Sequence, residues 1–380
     1  MKFIVNSQQL HKQLQSLSGV LSSSNTMPII GCFLFHLEEN ELTIKTTDLS
    51  TTLVAKMTVE TGRMENPEEV AVPSKMLLDI LKTFDDVPLT FNVDPANFTI
   101  DIVSGQGQYR LAGMDAATYP TMPTAESTSK VVMSSSALVN AINKTVFASS
   151  NDEMHQQMSG IYCEMTPDGV TFVATDAHKL VRYRRKDVAS DESTNFILPK
   201  KPIIIVKNIL AARKEEGDIT IEYNNTNLFI TFDNFYIVCR LVDGRYPNYD
   251  AAIPKDNPNK LILDRQSFLN TLRRVSIFAS EATRQVRLSI TGDHIDISAE
   301  DLELSNNARE TIPCQYEGDP MDIGFNAKFL TEMISYLDSE QVLVELSHPS
   351  RAGIIFPYND DDSEKNDDIL MLVMPVMLAN

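Results

Sequence analysis

The chain has 380 residues, 43% of them hydrophobic, and carries a formal net charge of −19 from 52 acidic and 33 basic residues. That length exceeds one ordinary domain, and the hydrophobic share can furnish several cores. Acidity on this scale favours solubility and, averaged over the chain, argues against a nucleic-acid partner. The first residues read as a strand and not as a cleavable leader, and no apolar run is long enough to cross a bilayer. Cys32, Cys163, Cys239 and Cys314 are scattered singly, with no CxxC pair and no metal-ligand spacing, the pattern of reduced thiols in a cytosolic protein.

In chain order, a strand at Phe3-Ile4-Val5 leads into a helix over roughly residues 7–21, with Leu10, Leu14 and Leu17 at helical spacing. Alternating stretches follow at 33–37 and at Leu42, Ile44 and Thr46. A second half opens at Val70-Ala71-Val72-Pro73, continues as a helix over 74–84, and ends in strands carrying Leu89, Phe91, Val93 and then Phe98, Ile100, Ile102. The pattern then restarts. Lys2, Lys130 and Lys260 each open a short apolar strand before a helix, and they lie 128 and 130 positions apart. Asp48, Asp176 and Asp301 each close an alternating strand, while Lys75, Lys201 and Lys328 each open an apolar helical run, the later two over 201–213 and 327–337.

Strands marked by Ile219, Ile221, Tyr223, by Leu228, Ile230, Phe232 and by Val342, Val344, Leu346 follow, separated by turn signals such as Asn224-Asn225 and Gly292-Asp293. Proline-rich joints at 119–124 and 252–258 divide the chain into 1–123, 124–254 and 255–380. Two helices against many strands predict an α+β domain, an antiparallel sheet on one side and a helix pair on the other, three times over. Three copies of one domain suggest an arc or a ring. The run Asn359–Asp368, with six acids and one lysine, reads as a solvated loop.

The acidity is unevenly placed. No Asp or Glu occurs from Met1 to Leu37, from Ser127 to Asn151, or from Arg265 to Ser280, the windows that hold the first helix of each repeat. Those helices instead offer Lys12, Lys144, Arg273 and Arg274 among Gln and Asn. The second helices add Lys75 and Lys82, then Lys200, Lys201, Lys207 and Lys214, then Lys328, interrupted by Asp79 and Glu332. If these faces line a common concave side, the interior is neutral to positive and meets phosphates without reading bases.

Catalytic signals are poor. Gly105-Gln106-Gly107 has Arg110 where a dinucleotide loop needs its third glycine, no Walker-type loop occurs, and the six histidines show no metal spacing. Asp176 and His178 could form an acid–base pair, but recurrence of Asp at that place in all three repeats favours a turn. The apolar ending Ile369–Leu378 contains Pro375, where the chain should leave its sheet and expose Val376, Met377 and Leu378 for adaptable peptide contacts.

The threefold repeat, Thr175-Asp176-Ala177-His178-Lys179-Leu180, the stretch Leu241–Tyr249 and the ending Val373-Met374-Pro375-Val376 together resemble the bacterial DNA polymerase III beta subunits, the sliding clamps, over essentially the whole chain. The resemblance implies three clamp domains per protomer and a head-to-tail homodimeric ring around duplex DNA, with no catalytic activity, no cofactor, no metal and no membrane association. It implies a cytoplasmic, nucleoid-associated protein. It also implies a clamp loader, and tethering of the replicative polymerase alpha subunit, repair polymerases and mismatch-repair and ligase-type proteins through short linear motifs.

The implied peptide pocket comprises Met158, Thr175, Ala177, His178, Lys179, Leu180, Pro247, Ala251, Ala252, Leu372, Met374, Pro375 and Val376. The implied seam comprises Tyr109, Arg110 and Leu111 on one side and Ile277, Phe278, Glu300, Asp301 and Glu303 on the other. The chain departs from the family at Ala177 (often Gly), Lys179 (often Arg), Met377 (a basic residue) and Ser24 (Arg in some members). Two other readings compete: a monomeric scaffold that binds peptides only, and a hydrolase built on Asp176 and His178.

Overall fold

The computed structural model describes residues 1–21, 27–62, 68–126, 128–213, 215–359 and 367–378. Ser24, Lys214 and residues 360–366 of the acidic run fall outside them. The first repeat runs β1 (Lys2–Asn6), α1 (Ser7–Leu17), β2 (Cys32–Glu38), β3 (Glu41–Thr47), β4 (Thr51–Thr58), β5 (Glu60–Thr61), β6 (Glu68–Pro73), α2 (Ser74–Leu81), β7 (Pro88–Val93), β8 (Thr99–Ser104) and β9 (Gly107–Ala112). The second runs β10 (Ser129–Ser134), α3 (Ser135–Thr145), β11 (Ile161–Thr166), β12 (Gly169–Thr175), β13 (Lys179–Arg185), β14 (Thr194–Leu198), α4 (Lys200–Ala211), β15 (Asp218–Tyr223), β16 (Asn227–Phe232) and β17 (Phe235–Arg240). The third runs β18 (Asn259–Asp264), α5 (Arg265–Val275), β19 (Gln285–Thr291), β20 (His294–Asp301), β21 (Asn306–Pro313), β22 (Gln315–Glu317), β23 (Met321–Asn326), α6 (Ala327–Ser335), β24 (Gln341–Leu346), β25 (Gly353–Tyr358) and β26 (Asp367–Val373).

Helix starts follow local chemistry. Asn6, Asp264 and Asn326 cap α1, α5 and α6 by accepting from the amides of Gln9, Ser267 and Lys328. The ends come earlier than apolar spacing predicts. After Leu17 the chain tightens into a short 3-10 turn, Ser18–Val20, and the Ser18 hydroxyl donates to the Gln15 carbonyl at 2.7 Å. Val20 stays buried, so the apolar periodicity outlasts the α-helix.

Two compact units form, one from residues 1–138 with 201–241 and one from 139–200 with 242–380. The first holds a five-stranded sheet, β5-β1-β7-β8-β9, and an eight-stranded sheet, β10-β15-β16-β17-β4-β3-β2-β6. The second holds a nine-stranded sheet, β14-β11-β12-β13-β26-β25-β24-β18-β22, and a four-stranded sheet, β21-β20-β19-β23. A single sheet per repeat is therefore incorrect: each repeat divides its strands between two sheets. Helix α1 touches β1 in one sheet and β3 and β4 in the other, burying Leu10, Leu14 and Leu17.

Sheets continue from repeat to repeat. In the first unit β4 pairs antiparallel with β17, Leu53 opposite Ile237 and Val54 opposite Tyr236. In the second unit β13 pairs antiparallel with β26, Leu180 opposite Leu372 and Val181 opposite Met371. The third strand after the first helix of one repeat thus meets the last strand of the next. The remaining strands of those two kinds, β21 and β9, are edge strands.

The three aspartates serve turns. Asp48 Oδ1 accepts from the Ser50 and Thr51 amides at 3.1 and 2.8 Å, Asp176 Oδ1 from His178 and Lys179 at 3.0 and 2.9 Å, and Asp301 Oδ1 from Glu303 and Leu304 at 3.0 and 3.1 Å. The residue after the first two has left-handed backbone, Leu49 with φ 77° and Ala177 with φ 72°, which glycine adopts without penalty. Leu49 is exposed and loses little packing on truncation. Leu49→Gly and Ala177→Gly are each expected to raise unfolding free energy by about 1 kcal/mol, read as a higher melting temperature; a lower one would contradict the strain assigned here.

Candidate functional site

The helix faces carry the charge pattern unevenly. On α1, Lys12 is exposed opposite the buried leucines, and with Gln8, Gln9, Gln15 and Lys82 it lines an open groove of about 540 Å³. Lys75 and Lys82 are exposed on α2, Arg273 on α5 and Lys328 on α6, and Lys207 is half-buried on α4. None of these six forms an ion pair among the described residues.

Four of the ten predicted cations differ. Lys144 Nζ reaches Asp338 at 2.8 Å, Lys201 Nζ reaches Asp48 at 2.7 Å, and Arg274 Nε reaches Glu310 at 2.8 Å. Lys200 Nζ donates to Asn151 Oδ1 at 2.9 Å, and burial, with Lys179 nearby, holds its pKa below the usual lysine value. The first helices lack carboxylates of their own, but Asp338 and Glu310 reach them from other elements.

In the second unit, Leu180 and Leu372 face each other across β13 and β26 within an apolar cluster completed by Val173, Ile197, Tyr246, Ala352, Ile354 and Leu370. Half-buried Tyr162, Val242, Tyr249 and Ile253 pack against it. The rings of Tyr162 and Tyr246 stack at 4.8 Å, and the Tyr249 hydroxyl donates to Glu164 at 3.1 Å. Pro247, Ala251 and Ala252 are exposed on the segment that carries Tyr246 and Tyr249. The Thr175 hydroxyl donates to the Lys179 carbonyl and accepts from the Ala177 amide, closing the turn before β13.

The chain leaves the sheet at Val373, as Pro375 requires. The Met374 amide then donates to the His178 carbonyl and the Val376 amide to the Gly324 carbonyl, each at 2.9 Å. Met374 and Met377 remain exposed, whereas Val376 and Leu378, expected to be exposed, are half-buried where the chain packs against Gly324. Met158 sits half-buried on a separate 3-10 segment, Glu153–Ser159, where its carbonyl accepts from the Ser150 amide. Tyr162, Tyr246 and Tyr249 are not among the residues expected from sequence, although the latter two stand inside the stretch Leu241–Tyr249 that carries the resemblance.

Lys179, expected in the pocket, is buried and ion-paired within the unit. Its side chain is 6% exposed, its Nζ lies 2.7 Å from Glu332 Oε2 on α6 and 3.7 Å from Asp176, and it sits 4.9 Å from the Phe329 ring centroid. It braces β13 against α6 and presents no charge to a ligand. Glu332, which interrupted the basic face in the sequence, is neutralised by it.

The hydrolase reading finds no support in this geometry. Asp176 Oδ1 is spent on the turn, the His178 ring lies against Phe329, and no metal-competent cluster of His, Cys, Asp or Glu occurs among the described residues. Burial pushes the Cys239 thiol up to about 12, leaving it protonated and inert.

At the first open edge, β9, Tyr109 is exposed, with its ring edge-on to Phe84, and the Arg110 guanidinium is held by Asp101 at 2.7 Å. Leu111 is 5% exposed: its side chain belongs to the core of its own repeat, so only its backbone is available at the edge. Near the second open edge, β21, Ile277, Phe278, Leu302 and Leu304 are exposed, and Glu300, Asp301, Glu303 and Arg309 line an open groove of about 450 Å³.

Family models of the DNA polymerase III beta subunit match its N-terminal domain to residues 1–123, its central domain to 132–248 and its C-terminal domain to 250–374. The chain belongs to this family. Its members are non-catalytic processivity factors, and so is this chain. The beta sliding clamp of Vibrio cholerae is 27% identical over 378 residues, covering 100% of both chains. A sliding clamp from Pseudomonas aeruginosa crystallised with griselimycin is 26% identical with a TM-score of 0.92, and one from Bartonella birtlesii 27% identical with 0.91, each pair of chains covered to 100%. Three α+β clamp domains are thus shown by sequence models and by structural likeness.

Within this clamp the brace at Lys179 is open to test. Lys179→Ala is expected to lower unfolding free energy by about 3 kcal/mol in urea titration, since it strands Glu332, whereas Lys179→Met with Glu332→Leu should recover most of the loss.

Proposed function

We propose that two copies of this clamp join head to tail into a six-domain ring that encircles duplex DNA and tethers the replicative polymerase and other DNA enzymes to it. The observation that carries this reading is the pair of open strands. β4 and β13 are each sealed by β17 and β26, and the one strand of each kind left over, β21 and β9, would seal each other across two chains. Domains 1–123, 124–254 and 255–380 supply the six modules.

Lys12, Lys82, Lys207, Arg273 and Lys328 then face the duplex among glutamines and asparagines, holding phosphates without reading sequence. Acidity elsewhere keeps nucleic acid off the outer surface. The apolar seat around Leu180, Leu372 and the tyrosines, with the methionine-bearing tail, takes short linear motifs of the polymerase alpha subunit, the clamp loader, repair polymerases and mismatch-repair and ligase-type proteins. The setting is the cytoplasm, at the nucleoid; no helix among the described residues is long and apolar enough to cross a membrane.

After loading by a clamp loader, the protein should sediment with nicked circular plasmid and be lost when the plasmid is linearised; equal loss from both would refute encirclement and favour a peptide-only scaffold. Lys12→Glu combined with Arg273→Glu should weaken retention increasingly as salt rises while leaving the dimer intact. Deleting residues 376–380 should abolish polymerase-peptide binding, measured by fluorescence anisotropy, and leave the ring unchanged.

A further inference from the structure

Three equivalent turns and three equivalent helix starts allow one contact of the seam to be assigned. In the first unit the Asp48 carboxylate precedes β4, and Lys201, second residue of α4, reaches it at 2.7 Å. This pair ties the turn of one repeat to the helix of the next. Burial works against ionisation of Asp48, but Lys201 and the turn donors win and hold its carboxyl below the usual value.

The equivalent pair in the second unit is Asp176 and Lys328, second residue of α6, and it does not form. The reason is local. Three residues after Asp176 stands Lys179, whose Nζ lies 3.7 Å from Asp176 Oδ2, so this repeat supplies its own cation. Three residues after Asp48 stands Thr51, which supplies none. Of the two joints within the chain, the next repeat's helix lysine engages the turn aspartate only at the one whose strand supplies no cation of its own.

At the third turn, the residue three after Asp301 is Leu304, which is exposed. No ion pair engages Asp301 among the described residues, and Glu300 and Glu303 line the same groove. Arg309, also there, is engaged by Asp296. The helix start equivalent to Lys201 is Lys75, second residue of α2, exposed and without an ion pair among the described residues.

We propose that Lys75 of one protomer pairs with Asp301 of a second copy across the seam, as Lys201 pairs with Asp48 within one chain. The assignment rests on the head-to-tail dimer and moves Lys75 from the DNA face, where charge pattern alone put it, to the subunit joint. It also gives the exposed Asp301 turn a second task beyond closing its own loop.

A double-mutant cycle on dimer dissociation tests this, using dilution in analytical ultracentrifugation without DNA. Asp301→Asn keeps the turn acceptor and Lys75→Met keeps the side-chain length, so each removes charge with little change of shape. Each is expected to raise the dimer Kd about fivefold, and the double variant no further than either single. Additive effects, or singles equal to the parent protein, would overturn the pair while leaving the dimer standing. A parent protein that is monomeric at micromolar concentration would overturn the dimer and the pair together. Unchanged melting temperatures in all three variants would show that the readout is the seam and not the fold.

Discussion

Antiparallel pairing between the third strand after one repeat's first helix and the last strand of the next repeat is the constraint on which the molecule rests. Each such joint converts two exposed rows of backbone donors and acceptors into a continuous ladder, removing the most aggregation-prone feature of each isolated domain. A sheet that runs through the joint also fixes the neighbouring repeat in register, since a slip by one residue would turn Leu53 and Ile237, or Leu180 and Leu372, toward the wrong face. Side chains then add to what the backbone has set: Lys201 with Asp48 at one joint, Lys179 with Glu332 at the other.

The apolar cluster proposed as a peptide seat follows from the same constraint. Leu180 and Leu372 come from different repeats and meet only because β13 and β26 pair. The chain on either side of Pro375 is held by two carbonyls, His178 from the turn before β13 accepting from Met374 and Gly324 of β23 accepting from Val376. A binding surface built on a joint is supported by two cores at once, which suits a site that partners must engage repeatedly without deforming the protein.

Periodicity made most of this architecture readable. Helical spacing located the six α-helices among the described residues, and alternation found β1, β2, β3, β7, β8, β15, β16 and β24. It missed β4, β9, β13, β17 and β21, which make or await the joints, and also β5, β11, β14, β19, β22, β23 and β25. Thr51 to Ala55 are all buried, and so are Lys179 to Val181, because both faces are covered and alternation disappears. β9 and β21 look polar for the opposite reason, each lying at the margin of its sheet. Lys179 was unreadable as a brace because its partner Glu332 lies 153 positions away. The turn role of the aspartates, by contrast, was legible from recurrence alone.

Unlike ends carry a risk that identical ends do not. A chain whose β9 edge accepts the β21 edge of another copy has a polar, head-to-tail valence, and such contacts give either a closed circle or an endless filament, according to the rotation each joint imposes. Which of the two results is decided by a few degrees of strand twist, with no change in the list of contacts. Substitutions that alter sheet coiling near those margins could therefore turn a processivity factor into a fibre former while each protomer stays correctly folded.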